Sequence, residues 1–543
     1  MPTIAELIAA AEPGAPRRLG ELVERLAAEG RVRDQAAAGL PAGDVSIRGV
    51  TNDSRSVTPG GLFVAVPGEH VDGHAFLVAA AAAGAAAAIV ERPVDVALPQ
   101  LVVDRSRAAL ATAAAWWYGD PSADLGVIGI TGTDGKTTTS ILATAALEAA
   151  GLPTGMLGTA ALEIGDVREP NLEHATTPEA PRLQSILRAM VSAGDRAAIV
   201  ETTSHGLALE RVAGIRYDIA ILTNVTHEHL ELHGTWEAYR DAKKSLFERL
   251  ATGPGNPAKP SPGWPRTGIV NLDDPSAAVF AEAIRRAGAR LLTYSADVGR
   301  SMADVRATEV QAGRSGRGLH VRYLAPSGRG DLWSPLIGRF NVKNLLAVVA
   351  LGEAIGLDPA AVRSGLESVA SIPGRMERVV AGQPFEVIVD YAHTPASLEG
   401  ALDELGALAR SRGGEAIVVF GSAGERDIQK RPDMGRIAGE RCRLVVLTDE
   451  DPRGEDREAI LAEIAAGATA AGKELGGDLL LIPDRREAIR AAFERAQPGD
   501  IVLLAGKGHE ATILYADHAE PWDERAEATA ALAELGYQDD ETS

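Results

Sequence analysis

The sequence predicts an α/β protein of three domains, built on mostly parallel sheets. Three observations predict it. The chain has 543 residues, more than one hydrophobic core organises, which argues for about three domains. Apolar runs of strand length alternate with helical stretches along most of the chain, the pattern of parallel sheets covered by helices on both faces. One of these runs, residues 125–130, leads directly into a glycine-rich loop and a helix.

The elements follow in order. Residues 1–44 read as a helical lead-in with linkers. Strands at 62–66 and 87–90 flank a helix at 74–83. A helical run ends at Trp116-Trp117-Tyr118 and is broken by Gly119-Asp120-Pro121, so the first domain spans 1–123. The second, 124–372, opens with the strand at 125–130 and a helix at 136–149. Further strands are expected at 197–201, 219–224 and 268–271. The Pro- and Gly-rich stretch 253–265 reads as an exposed insertion. Residues 303–336 read as a smaller antiparallel part, followed by a helix at 340–355. The third domain, 373–543, carries apolar runs at 385–390, 417–420, 444–447 and 501–505, a Rossmann-like pattern. The acidic tail from Gln538 is expected to be disordered.

Composition narrows the function. Hydrophobic residues make up 45% and charged residues 24%, ordinary for a globular protein. A net charge of -21 argues against non-specific nucleic-acid binding, which needs a basic surface. Local arginines can still hold an anionic substrate. The one cysteine, Cys442, can form neither an internal disulfide nor a cysteine metal cage, and reads as a small core residue. No basic start precedes an apolar run at the amino end, so no signal peptide is expected. The alanine-rich run 79–90 is broken by Gly84 and too short to span a bilayer. A cytoplasmic monomer without membrane insertion is expected.

Residues 131–138 read Thr-Gly-Thr-Asp-Gly-Lys-Thr-Thr. Backbone N–H groups and a helix dipole converge there on one anion. Lys136 would reach the outer phosphates of a nucleotide, and the Thr137 hydroxyl would ligate magnesium. The strict phosphate-loop pattern is not met, because its first glycine falls on Ile130. The plainer alternative is a simple strand-to-helix turn; the flanking strand and helix favour the nucleotide. Glu201 ends a strand beside the loop and suits a magnesium ligand, although such residues also cap helices. His227, His229 and His233 lie within seven residues. Zinc would need companions of another spacing, so a magnesium site or a polar turn is the better reading.

These motifs, taken together and in order, resemble the Mur ligase family, the ATP-dependent amide ligases of peptidoglycan precursor synthesis. The matching segments are the loop; 201–207; Thr223-Asn224; 241–247; 338–344; 374–377; 390–395; and Gly506-Lys507-Gly508-His509-Glu510. Residues 51–65 look like the uridine-binding opening of the branch that adds a third residue to UDP-N-acetylmuramoyl-L-alanyl-D-glutamate.

The resemblance implies roles. Gly132, Thr133, Asp134, Gly135, Lys136, Thr137, Thr138, Asn341, Asn344, Arg375 and Asp390 would bind ATP, Asp134 standing where Asn is commoner. Ser54, Thr176, Thr177, Thr203 and Arg211 would bind the UDP-muramoyl dipeptide, with Leu209 where a Gln is frequent. Thr137, Glu201, His229 and Lys243 would hold magnesium, and Lys136, Glu201, His229 and Lys243 form the catalytic set. Lys243 is expected to carry a carbamate from carbon dioxide (N6-carboxylysine), which turns a cation into a metal ligand; only family register prefers it to Lys244. Asn341 would otherwise be a helix N-cap, and Arg375 a boundary salt bridge.

Arg426, Glu450, Asp451, Pro452, Arg453, Gly506 and Glu510 would bind the incoming free amino acid. Diaminopimelate enzymes usually show Asp-Asn-Pro-Arg where this chain has Glu450-Asp451-Pro452-Arg453. Arg453 favours a distal carboxylate, whereas Asp451 would oppose it and welcome an ammonium. meso-Diaminopimelate is favoured, with ornithine and lysine open. The implied mechanism is an acyl phosphate formed from ATP, with domain closure. Two alternatives are a folylpolyglutamate synthase-like ligase and an inactive nucleotide-binding homologue. Residues 45–118 argue against the first, and the intact catalytic set against the second.

Overall fold

The computed structural model describes residues 2–34, 45–68, 71–171, 175–226, 230–252, 259, 263–299, 302–313 and 318–537. Three large sheets organise them. The first has five strands in the order Val32–Asp34, Gln100–Val103, Ala87–Val90, Leu62–Val64, Val50–Thr51. All pairs are parallel except the first. The third has six strands, Glu377–Val379, Glu386–Asp390, Ile501–Ala505, Ala416–Phe420, Leu444–Leu447, Leu479–Leu481, again parallel beyond its first pair.

The second sheet has eleven strands. Its parallel centre runs Thr154–Leu157, Ala197–Glu201, Gly126–Thr131, Ile219–Leu222, Thr267–Asn271, Arg290–Ser295. Side chains alternate between faces along a strand. Ile128 and Ile130 therefore join one core with the helices Lys136–Ala149 and Asn341–Ile355, while Val127 joins the other with Ala180–Ala193 and Trp236–Glu248. Burial on both faces is why these strands read as unbroken apolar runs. The expected strands 87–90 and 197–201 and the helix 136–149 agree with the structure residue for residue. Cys442 is buried, and burial pushes its thiol up to about 12. Among the described residues no helix is long and apolar enough to cross a membrane.

Two expectations change, whereas the smaller antiparallel part is present, as a continuation of the central sheet. Val305–Ala312 pairs parallel with Arg290–Ser295, and Leu319–Ala325 and Gly328–Ser334 continue the same sheet antiparallel. The stretch 253–265 is not simply exposed, although 253–258 and 260–262 lie outside the described residues. Lys259 is buried and donates to Asp218 Oδ2 at 2.5 Å and to the Leu125 carbonyl at 3.0 Å. Trp264 covers Gly126, where a Cβ would meet the indole at 2.4 Å. The lead-in is more than helices and linkers. Val32–Asp34 is a strand, and Ile4 and Ile8 pack in the core beneath the central sheet. Residues 35–44 and the tail 538–543 are outside the described set.

Asp195 follows the helix Ala180–Ala193, buried, accepting one hydrogen bond from Gly165 N at 3.0 Å. Burial pushes its carboxyl up to about 6, and the charges of Glu148 and Asp166 add to the rise. A raised folded-state value means its contribution is full below about pH 4 and lost as pH rises through about 6. Asp195→Asn is therefore expected to stabilise the protein at pH 7.5, by on the order of 2 kcal/mol at most. Melting curves should show the gain vanish near pH 4; a gain independent of pH would contradict this account.

Candidate active site

From the strand Gly126–Thr131 the chain first leaves to one side of the central sheet and later returns to the other. That reversal leaves a crevice at the carboxyl ends of the strands, where open α/β sheets bind ligands. The glycine loop fills it. Gly135 has φ +82 and serves as the N-cap of the helix Lys136–Ala149. A Cβ on Gly132 would lie 1.8 Å from Thr223 Oγ1, and one on Gly135 2.5 Å from Asn344 Oδ1. Thr133 and Asp134 donate their N–H groups to Asn224 Oδ1 at 3.2 and 2.9 Å. Thr223 Oγ1 donates to the Asp134 carbonyl at 2.6 Å. Lys136 does not point away from the loop: its Nζ donates to the Gly132 and Thr133 carbonyls, both at 2.8 Å.

Glu201 is fully buried beside the loop. Its carboxylate accepts from Thr137 Oγ1 at 3.1 Å, Thr159 N at 3.0 Å and Thr159 Oγ1 at 2.8 Å. Among the described residues no basic side chain pairs with it. A buried, unneutralised carboxylate is costly, and with the Thr137 hydroxyl it forms a hard oxygen set that suits magnesium. Among the described residues no group of three or more His, Cys, Asp or Glu is assembled around a metal. His227 and His229 lie outside them.

Lys243 and Lys244 separate clearly. Lys243 is buried, donates to the Gly132 carbonyl at 2.8 Å, and lies 4.4 Å from the Tyr239 ring centroid. Lys244 is half-exposed between Asp241 and Glu248. A helical signal was available for this. Tyr239, Lys243, Leu246 and Phe247 are the buried residues of Trp236–Glu248, spaced on one helical face.

The residues assigned to the dipeptide gather on the other side of Glu201. Thr176 Oγ1 meets Thr159 Oγ1 at 3.0 Å. Thr177 Oγ1 donates to the Glu201 carbonyl at 3.0 Å and accepts from Thr203 N and Oγ1. Arg211 donates to the Thr177 carbonyl at 3.0 Å and to Glu179 at 2.7 Å. Ser54 lies apart from these, opening a short 3-10 turn that follows Val50–Thr51 of the first sheet. Asn341 is not the N-cap, which is Phe340. It donates to the Ile337 carbonyl at 2.7 Å and accepts from Asn344, whose Oδ1 takes the Thr139 hydroxyl.

The third sheet presents its own carboxyl edge to the loop. Asp390 accepts from Met376 N and Ala392 N at 2.7 and 2.8 Å. Burial pushes its carboxyl up, Arg375 opposes the shift, and Asp134 of the loop adds to it. Arg375 stacks on Tyr391 at 4.5 Å rather than in a boundary salt bridge. His509 is held neutral, pushed down to about 3 by burial and then by the Arg375 and Lys507 charges.

Farther along that edge, Lys507 is buried and donates to Asp451 Oδ1 at 2.8 Å and Glu510 Oε2 at 2.7 Å. Asp451 also accepts from Leu514 N at 3.0 Å. Asp451, expected to oppose a carboxylate and welcome an ammonium, thus already has a cationic partner within the protein, one it shares with Glu510. Ser422 Oγ, Glu450 Oε2 and Arg453 Nε are buried without partners. Arg426 is exposed. Among the described residues five non-glycines have positive φ, and four of them are Glu210, Met376, Glu425 and Arg453. Each adjoins or is a residue assigned to binding, as expected where strain is kept for function.

Family models match three successive segments: "Mur ligase family, catalytic domain" at 46–117, "Mur ligase middle domain" at 130–352, and "Mur ligase, glutamate ligase domain" at 374–508. A UDP-N-acetylmuramyl-tripeptide synthetase of Roseiflexus sp. is 49% identical, covering 92% of this chain and 97% of its own. The chain belongs to the Mur ligase family. A protein of the same name from Deinococcus radiodurans is 43% identical, over 91% and 96% of the two chains. A UDP-N-acetylmuramoyl-L-alanyl-D-glutamate--2,6-diaminopimelate ligase of Geobacter metallireducens is 40% identical, over 90% and 95%. A solved structure with that ligase title superposes with TM-score 0.61 and 32% identity, over 91% and 96%. As a Mur ligase the protein is an ATP-dependent, amide-forming enzyme. A folylpolyglutamate synthase of Mycobacterium tuberculosis, 18% identical and covering 74% of this chain, shares the fold.

Within this Mur ligase, Thr159, Asn224 and Lys507 are site residues that carried no predicted role. Asn224 and Lys507 stood inside recognised motifs, but nothing in the sequence around Thr159 marks it. Gly135→Ala would force a left-handed backbone on a side chain, costing about 1–2 kcal/mol, besides the clash with Asn344. ATP affinity should fall roughly tenfold or more, with only a small change in melting temperature. Unchanged titration of a fluorescent ATP analogue would remove the loop from nucleotide binding.

Proposed function

We propose that this Mur ligase adds the third residue to UDP-N-acetylmuramoyl-L-alanyl-D-glutamate, in peptidoglycan synthesis. The observation that carries the reading is the buried Glu201 carboxylate. It joins the phosphate loop through Thr137 and reaches Thr176 through Thr159, while the Glu201 main-chain carbonyl accepts from Thr177, which in turn holds Thr203 and Arg211, so nucleotide and acceptor groups meet around one strand end. The relatives' names agree. Division of the chain at 123 and 372 assigns UDP binding to the first domain, ATP to the second and the amino acid to the third.

Carboxylates are poor acyl donors. Transfer of the ATP γ-phosphoryl group to the D-glutamyl side chain gives an acyl phosphate. The amine attacks, and phosphate leaves from the tetrahedral adduct. The protein mainly positions and neutralises. Loop N–H groups hold phosphate oxygens, Lys136 exchanges two carbonyls for them, and Arg211 and the threonines hold the dipeptide. Magnesium, held by Thr137, Glu201, His229 and a carbamylated Lys243, would neutralise the charge of the transferring phosphoryl group. A buried lysine beside the loop supports the carbamate, in which the neutral amine bonds to carbon dioxide and releases a proton.

The reading favours meso-diaminopimelate. Lys507 pairs with Asp451, and this weakens that residue's opposition to a distal carboxylate. Glu450 Oε2 and Arg453 Nε lack partners and suit an ammonium and a carboxylate. The test is turnover with ATP, the UDP-dipeptide and each of meso-diaminopimelate, ornithine and lysine. Diaminopimelate should lead by at least about 100-fold in kcat/KM. Faster ornithine or lysine would reverse the specificity, and no turnover with any would end the functional reading. Lys243→Ala should lower kcat by roughly 100-fold or more, while Lys244→Ala stays within about twofold. Labelled bicarbonate should give a carbamate signal in wild type and none in Lys243→Ala; its absence from wild type would exclude the modification.

A further inference from the structure

Beneath the loops of the third sheet lies an ion pair outside every motif read from the sequence. Arg485 opens the helix Arg485–Arg495 and Glu524 opens Glu524–Glu534. Both side chains are 0% exposed. The contact is bidentate, Nε to Oε2 at 2.9 Å and Nη2 to Oε1 at 2.7 Å, and Trp522 Nε1 donates to Glu524 Oε2 at 2.6 Å. The guanidinium has two further acceptors. Nη1 donates to the Asp449 carbonyl at 3.1 Å and Nη2 to the Ala505 carbonyl at 2.8 Å.

Those two carbonyls lie at the ends of strands that are not neighbours. Ala416–Phe420 runs between Leu444–Leu447 and Ile501–Ala505. Asp449 immediately precedes Glu450-Asp451-Pro452-Arg453, and Ala505 immediately precedes Gly506-Lys507. One planar, rigid side chain therefore ties both arms of the amino-acid site by their last carbonyls. Lys507 of one arm ties to Asp451 of the other, while its second contact, to Glu510, stays within its own arm. A buried ion pair is weak as a source of stability, since apolar residues of similar volume often serve equally well. Its geometric fixity is what an apolar pair would lack.

We propose that Arg485, oriented by Glu524 and Trp522, is a positioning residue that sets the spacing of the two arms and thereby the affinity and selectivity for the incoming amino acid. The proposal rests on the reading of that site given above.

The test is the double variant Arg485→Met/Glu524→Met, with Arg485→Lys as the conservative partner. The double variant is expected to fold with a lowered melting temperature, because the Asp449 and Ala505 carbonyls and Trp522 Nε1 lose their partners. Its KM for ATP and for the UDP-dipeptide should stay within about twofold, while KM for the amino acid rises roughly tenfold or more. The kcat/KM ratio between preferred and rejected diamino acids should narrow by a similar factor. Arg485→Lys keeps the charge but not the fork, and should give a smaller loss in the same parameters. A folded double variant with unchanged amino-acid KM overturns the proposal. So does a uniform rise in all three KM values, or unfolding of both variants, since either would make the pair purely structural. Wild type is assayed first. If it turns over no amino acid, the functional reading fails and takes this proposal with it; if wild type is active and the variant matches it, only the positioning role fails.

Discussion

The centre of the site depends on a single buried carboxylate. Glu201 ends a strand whose two neighbours and both covering helices exclude solvent, and it is fully buried. Three hydrogen bonds from Thr137 and Thr159 hold it, and hydrogen bonds alone do not offset the removal of a charge from water. A cation would offset that cost, and the Thr137 hydroxyl sets a second hard oxygen beside the carboxylate. The loop turns its N–H groups inward on Asn224, Gly135 is left-handed so that the helix can begin at Lys136, and Lys243 reaches the same Gly132 carbonyl from the opposite wall. Without the loop the carboxylate would be destabilising; without the carboxylate the loop would be one anion site among many.

How legible this was follows from distance along the chain. Strands buried on both faces, such as Ala197–Glu201, announce themselves in four or five consecutive residues. Val167–Pro170 alternates half-buried and exposed positions, Leu479–Leu481 has only three residues, and Arg290–Ser295 opens on an exposed arginine. Val167–Pro170 and Arg290–Ser295 do not read as apolar runs; Leu479-Leu480-Leu481-Ile482 does, yet none of the three was anticipated. The same rule holds in the site. The loop is local and was read directly, whereas Thr159 acquires its role by lying opposite Glu201, 42 residues away. Lys243 was preferred to Lys244 on family register alone, although Tyr239, Leu246 and Phe247 also mark its face of the helix as the buried one. Arg485 and Glu524 were not legible, since a charged residue opening a helix is ordinarily an exposed one.

Asp451 shows how a residue's charge can mislead when read without its neighbours. In isolation an aspartate in place of the usual asparagine adds one negative charge to the wall that meets the incoming amino acid. In the fold Lys507, 56 residues away, closes on it at 2.8 Å and is shared with Glu510. At this position the aspartate forms an ion pair within the wall. What then remains for a ligand is the pair of buried atoms without partners, Glu450 Oε2 and Arg453 Nε. They differ in sign, and an amino acid with only an amine at its far end would satisfy one and strand the other. Leaving a buried guanidinium nitrogen unmet costs more than adding a matched carboxylate gains. Selectivity on this reading comes chiefly from Arg453, and Asp451 contributes by keeping Lys507 in place. Since Arg453 holds a left-handed backbone and follows the Asp449 carbonyl that Arg485 grips, its aim depends on the buried pair below it.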